Sequence, residues 1–251
     1  MRFSVIIPAR HAAQRLPGKP LADLNGKPLI LHACACAKHS GAARVIVATD
    51  DARIQQVCDQ AGFEAQMTAP GHASGTDRIA EVVQRLNLDD DELVVNLQGD
   101  EPMMPPANIE QTAALLASGV DMSTLCTPIH ELAEFLNPNV VKVVADGKGK
   151  ALYFSRAPIP WNREGAASGL ASQNQHQGAL RHIGIYGYRV GALKHISATP
   201  PCELEQLEKL EQLRALWLGM SIALDLAREV PGPSVDTPED LQRVAALLCA
   251  R

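Results

Sequence analysis

Val5-Ile-Ile-Pro-Ala-Arg-His-Ala-Ala-Gln-Arg-Leu-Pro-Gly-Lys-Pro20 begins as an apolar strand and turns at once into a loop with three cations and no acid. Pro8, Pro17 and Pro20 restrict that loop. Arg10, Arg15 and Lys19 can therefore converge on one anion, the arginines as bidentate forks and the lysine as a point charge. No Asp or Glu occurs before Asp23, although the chain carries a formal net charge of -5. A polyphosphate suits such a local exception. The loop is neither of the two common glycine-rich phosphate motifs, and its plain alternative is an exposed basic loop making surface ion pairs.

Outward from this stretch, short apolar runs alternate with helical patterns, the order of βαβ units and a largely parallel, Rossmann-like sheet. Phe3 to Pro8 is the first strand, and Lys27 to Gly41 holds a helix with Pro28 at its first position. Arg44 to Thr49 is the next strand. Asp51 to Ala61 predicts a helix closed by Gly62, Thr76 to Leu86 another, and Leu93 to Leu97 a buried strand entering the acidic turn Gln98-Gly-Asp-Glu-Pro102. Beyond Pro128 the texture changes: Asn139 to Ala145, a Gly147-Lys-Gly turn and Ala151 to Ser155 pattern as an antiparallel ribbon. The predicted organisation is an α/β core of residues 1–128 and 201–251 with a smaller inserted antiparallel lobe at 129–200. Within that lobe Gly165 to Gly178 reads as a flexible loop. Leu204, Leu207, Leu210, Leu213 and Trp217 predict one amphipathic helix, and Pro238 to Leu248 the last.

At 251 residues and 46% hydrophobic content, disorder is excluded. The acidic balance without any basic run argues against nucleic acid or an anionic membrane as partner. Phe3 to Ile7 is too short for a signal segment before Pro8 and Arg10 interrupt it, so a soluble cytoplasmic protein is expected. The six scattered cysteines fit reduced core residues rather than a metal or redox motif.

Seven segments in register carry a resemblance over nearly the whole chain. They are Pro8 to Pro20, Ser74-Gly-Thr-Asp-Arg78, Asn96-Leu-Gln-Gly-Asp-Glu-Pro102, Tyr153-Phe-Ser-Arg156, Leu180 to Tyr188, Leu210-Glu-Gln-Leu-Arg214 and Val235-Asp-Thr-Pro-Glu-Asp240. Together they resemble the 3-deoxy-manno-octulosonate (Kdo) cytidylyltransferases, or CMP-Kdo synthetases. The resemblance implies a nucleotidyltransferase α/β fold, a mixed and mostly parallel sheet flanked by helices, with the smaller lobe serving sugar binding and dimerisation. The implied reaction moves CMP from CTP to the anomeric hydroxyl of Kdo, releasing pyrophosphate and feeding lipopolysaccharide synthesis. It implies a homodimer with Mg²⁺ as cofactor.

The implied site divides into parts. Arg15, Lys19 and Asp100 are catalytic, with the two cations neutralising the triphosphate and the leaving pyrophosphate. Asp100 and Asp236 hold the metal, since Mg²⁺ takes one or two carboxylates plus water and phosphate oxygens. Read without the resemblance, Asp100 also suits a turn after Gly99, and Asp236 or Thr237 an N-cap for the Pro238 helix. Pro8, Ala9 and Arg10 with Ser74, Gly75 and Arg78 form the CTP base pocket by resemblance, although Ser74 equally suits a helix cap. Gln98, Arg156, His182, Tyr186, Glu211 and Gln212 are the implied Kdo contacts. Residues 182, 184, 186 and 188 share one strand face, and Glu211 can instead pair with Arg214 along a helix. His11 stands where such proteins carry an aromatic ring. Rival expectations are a cytidylyltransferase for 8-amino-Kdo or sialic acid, a non-catalytic nucleotide-binding regulator, and a dinucleotide-binding oxidoreductase, the last opposed by the missing glycine fingerprint.

Overall fold

A computed structural model of the chain describes residues 1–12, 15–166 and 168–249. Ala13 and Gln14 of the basic loop, and Ala167 of the Gly165 to Gly178 loop, lie outside the described residues. The strands are β1 Ser4–Ala9, β2 Asp23–Leu24, β3 Lys27–Pro28, β4 Arg44–Thr49, β5 Glu64–Met67, β6 Leu93–Asn96, β7 Met122–Pro128, β8 Lys142–Ala145, β9 Ala151–Ser155, β10 Leu180–Arg189 and β11 Ile222–Leu226. The helices are α1 Leu29–Lys38, α2 Ala52–Gln60, α3 Gly75–Arg85, α4 Pro106–Leu115, α5 Leu132–Leu136, α6 Val190–Ala198, α7 Glu203–Glu208, α8 Gln212–Trp217 and α9 Pro238–Cys249.

The main sheet runs in the order β11-β7-β10-β6-β1-β4-β5. β6, β1, β4 and β5 are parallel, β11 is parallel to β7, and β10 alone runs antiparallel to both its main-sheet neighbours. Helices cover both faces, which is why β1 is apolar on both sides. Val5 and Ile7 pack with Ile30, Ala33 and Val47 on one face, while Ile6 packs with Ile46, Ile79 and Val83 on the other. Each such fully buried aliphatic side chain is worth about 2 kcal/mol of apolar burial. The expected alternation of strand and helix through the first hundred residues is present, and β4 has the expected bounds.

β10 differs from expectation. Assigned by its pattern to the second lobe, Leu180–Arg189 lies in the centre of the sheet, with Tyr186 opposite both Asn96 and Thr124. Gly187 is what lets it sit there: a Cβ would fall 2.3 Å from Ser123 Oγ. Off the main path stands the expected ribbon of β8 and β9, joined to the sheet through Leu180 and Arg181. An alternating sequence looks the same at an edge or a centre, and here its partners lie dozens of residues away.

The single helix expected from Leu204 to Trp217 is two short ones. Lys209 breaks it in the left-handed region at φ 54°, leaving Leu207 and Trp217 exposed while Leu210 and Leu213 are buried. A buried ion pair spans the break. Arg214 donates through Nε to Glu205 Oε2 at 2.7 Å and through Nη2 to Oε1 at 2.5 Å, and its Nη1 caps the carbonyls of Ile196 and Thr199. Arg214 is thus the partner of Glu205 and not of Glu211, as the helical spacing had allowed. Glu205→Ala strands a buried guanidinium and should lower unfolding free energy by about 3 kcal/mol in urea titration. The double variant Glu205→Ala/Arg214→Leu should recover part of that loss.

Candidate active site

β1, β4 and β5 wind one way across the sheet and β6 returns to the other side of β1, so the winding reverses between β1 and β6. In open α/β sheets that reversal leaves a crevice beyond the strand carboxyl ends. Here β1 ends in Pro8 and Ala9, and β6 runs on through Gln98, Gly99 and Asp100. The third wall is the start of α3. Ser74 caps it, accepting from Asp77 N–H at 3.1 Å and donating to Asp77 Oδ2 at 2.9 Å, the capping use the sequence left open. Gly75 permits the close approach, since a Cβ would lie 3.2 Å from Pro8 Cγ.

A cleft of about 540 Å³ occupies this crevice. Pro8, Ala9, Arg10, Arg15 and Lys19 line it from the first loop, and Ser74, Gly75 and Arg78 from α3. The structure therefore gathers all eight residues expected around CTP. Their states differ. Arg10 is exposed and pairs with no carboxylate among the described residues. Arg78 is 3% exposed and committed to Asp50 at 2.8 Å and to the Thr68 hydroxyl, so it stiffens the wall. His11 packs beside Gly18, whose positive φ of 69° closes the loop onto the ring.

Asp100 and Asp236 stand together at the cleft floor. Val235 N–H donates to the Asp100 carbonyl at 2.9 Å, joining two segments far apart in sequence. Thr237 takes the capping role for α9, accepting from Asp240 N–H at 3.2 Å, which leaves the Asp236 carboxylate facing the cleft. Lys19 Nζ bridges the pair, 2.6 Å from Asp100 Oδ2 and 3.1 Å from Asp236 Oδ1, and Arg15 Nη2 reaches the same Asp236 oxygen at 3.1 Å. Burial lowers the Lys19 ammonium and its two carboxylates raise it, the latter prevailing. Next in the chain, burial and the charge of Asp100 push the Glu101 carboxyl up to about 8.

A second cleft of about 290 Å³ adjoins the first and shares Gly75, Gln98 and Glu211 with it. His182, Tyr186 and Gln212 line it as expected. β10 shifts register between Ile183 and Tyr186, yet the His182 and Tyr186 rings stay 5.2 Å apart on the cleft side. His182 Nε2 meets the Thr124 hydroxyl at 2.9 Å, and burial pushes its pKa down to about 3, so the ring is neutral. Glu211 Oε2 accepts from the Thr76 hydroxyl at 2.6 Å, and burial raises its pKa. Gln212 is 5% exposed, and its Nε2 donor has no partner among the described residues.

Arg156 is the exception among the expected sugar contacts, for it lines neither cleft. Its Nε donates to the Glu208 carbonyl at 2.7 Å and its Nη1 to the Pro138 carbonyl at 3.0 Å, which points it along the ribbon. Lys209 lines the second cleft instead, with no ion pair among the described residues. The sequence also missed His72, which lines the first cleft and is anchored by Glu81. Its place two residues before Ser74 was the available signal. Lys209 had none, because its exposure to the cleft follows from the helix break.

The cytidylyltransferase family model matches residues 4–222. A 3-deoxy-manno-octulosonate cytidylyltransferase of Alkalilimnicola ehrlichii is 54% identical over 98% of this chain and 96% of its own. A solved CMP:2-keto-3-deoxy-manno-octonic acid synthetase, in complex with CTP, superposes with a TM-score of 0.88 at 41% identity, covering 100% of this chain and 99% of that one. A 4-diphosphocytidyl-2C-methyl-D-erythritol synthase shares the fold at 12% identity, with a TM-score of 0.66 over 99% of this chain and 100% of that one. With these matches running almost end to end through both clefts, the chain belongs to the cytidylyltransferase family, among the 3-deoxy-manno-octulosonate cytidylyltransferases.

Proposed function

We infer that the protein transfers CMP from CTP to the anomeric hydroxyl of Kdo, giving CMP-Kdo and pyrophosphate for lipopolysaccharide synthesis. The observation that carries this is the pair of adjoining clefts, one cationic and one neutral and hydroxyl-seeking, meeting at Gln98 and Glu211. The cationic cleft takes the triphosphate. Arg10, Arg15 and Lys19 neutralise its oxygens and stabilise the charge that develops on the departing pyrophosphate. Pro8, Ala9, Ser74 and Gly75 offer a backbone-lined slot for the base, with Arg78 holding its wall. The neutral cleft takes the sugar through Gln98, His182, Tyr186, Glu211 and Gln212, while Lys209 at its rim offers a cation for the Kdo carboxylate. The shared wall is where the sugar hydroxyl can face the α-phosphorus.

Asp100 and Asp236 fit Mg²⁺. Their donors are hard carboxylate oxygens that one ammonium already bridges, and two carboxylates with phosphate oxygens and water make a usual Mg²⁺ shell. Bound there, Mg²⁺ would polarise the phosphoryl oxygens and offset charge on the leaving group. The cytoplasm is the compartment this function calls for, since CTP is supplied there. No helix among the described residues is long and apolar enough to cross a membrane. A homodimer is supported by β9, which among the described residues pairs with β8 alone, and by exposed Leu152 on the same strand.

Pyrophosphate release with CTP, Mg²⁺ and Kdo should exceed that with 8-amino-Kdo, N-acetylneuraminate or UTP; silence with every pair despite CTP binding would favour a regulator. Asp100→Asn should cut kcat by roughly three orders of magnitude with an unchanged melting temperature. His182 should show no titration in NMR between about pH 5 and 8, in keeping with its depressed pKa, and His182→Ala should raise KM for Kdo while sparing that for CTP. Light scattering should give twice the chain mass, and a monomer at micromolar concentration would end the dimer proposal.

A further inference from the structure

The tie between Asp100 and Asp236 is itself a cation. Lys19 Nζ contacts both carboxylates, its side chain is 16% exposed, and Arg15 adds a second positive charge at Asp236. Two carboxylates and two cations leave the cluster formally neutral. A divalent ion approaching it gains little unless a resident cation leaves. Arg15 is 68% exposed and holds Asp236 by one contact, so it shields weakly. Lys19 is the better buried and sits on both acids. A triphosphate in the same cleft offers its ammonium a competing set of anionic oxygens.

We propose that Lys19 is an exchangeable counter-ion: it keeps divalent metal off Asp100 and Asp236 in the free enzyme and releases both carboxylates when a triphosphate draws its ammonium away. The proposal rests on the assignment of those aspartates as metal ligands. It makes the metal–nucleotide complex the entering species, with neither metal nor aspartates prepared in advance. After pyrophosphate leaves, Lys19 returns to the carboxylates and helps expel the ion. No covalent bond changes, and Lys19 stays protonated throughout.

Mn²⁺ is the probe, with its free signal followed by electron paramagnetic resonance in the absence of nucleotide. Wild type should bind Mn²⁺ weakly. Lys19→Gln should bind one ion at least about tenfold more tightly, Lys19→Arg should stay near wild type, and adding Asp100→Asn to Lys19→Gln should remove the gain. A wild-type protein that binds one Mn²⁺ as tightly as Lys19→Gln, through Asp100, would overturn the exchange while leaving the metal site standing. So would a folded Lys19→Gln with no gain when CTP still recruits Mn²⁺ to wild type but not to Asp100→Asn. If CTP recruits Mn²⁺ equally to wild type and Asp100→Asn, and Lys19→Gln shows no gain, the metal assignment itself falls and the proposal with it. Circular dichroism melts check each variant. Should Lys19→Gln not fold, Lys19→Met replaces it, and the wild-type arm still decides, because one tightly held Mn²⁺ lost in Asp100→Asn is incompatible with the exchange.

Discussion

The reversal of winding between β1 and β6 sets where the first cleft opens and which groups can line it. Parallel strands deliver their carboxyl ends to one edge of the sheet, with α1 and α4 packed on one face and α3 on the other. The first cleft opens at that edge, between β1 and β6. Pro8 and Gln98 therefore border an opening that packing alone would have closed elsewhere. The N-terminus of α3 enters the same gap because Gly75 lets its backbone approach Pro8. The positive end of its dipole faces the cleft, with the Asp77 carboxylate in the same first turn.

Charge inside the protein is used in two ways near this gap. Arg78 with Asp50, and Arg214 with Glu205, are nearly dry pairs whose geometry fixes the walls. Lys19 with Asp100 and Asp236 is wetter, and its partners compete with any ligand that enters. Breaking one of the dry pairs costs a packed interior its order. Rearranging the wetter cluster costs far less, because solvent and a triphosphate can replace each contact. Rigid walls around a replaceable ionic floor are what a site needs if it must hold a highly charged substrate and then release its product.

Much of this is legible in sequence, for identifiable reasons. The basic loop stands out because three cations precede the first acid of an acidic chain. The early strands stand out because two-sided burial demands continuous apolar runs. The roles of Asp236 and Thr237 are ambiguous in sequence, since either can cap a helix, and only the bond from Asp240 to Thr237 Oγ1 settles which does. The helix from Leu204 misleads because leucines keep their period across a break made by Lys209 and the buried Glu205–Arg214 pair. That break also explains which cation lines the second cleft. Arg156 is drawn to Glu208 at the end of α7, and Lys209, the next residue, lines the cleft in its place.

The second cleft is lined mainly by neutral polar groups, with Lys209 as its cation. His182 is neutral, and burial raises the pKa of both Tyr186 and Tyr188, so all three offer neutral polar groups. Gln212 Nε2 has no partner among the described residues, and a buried unmet donor costs about 1–3 kcal/mol until something supplies an oxygen. A sugar hydroxyl or ring oxygen can repay that cost only if it arrives at the right place. An analogue lacking that oxygen leaves the donor unmet, and discrimination by unmet polar groups is far steeper than discrimination by apolar fit. If this cleft is the sugar site proposed above, selectivity among octulosonate-like acids rests on where their oxygens fall against β10 and α8 as well as on the carboxylate that Lys209 would meet.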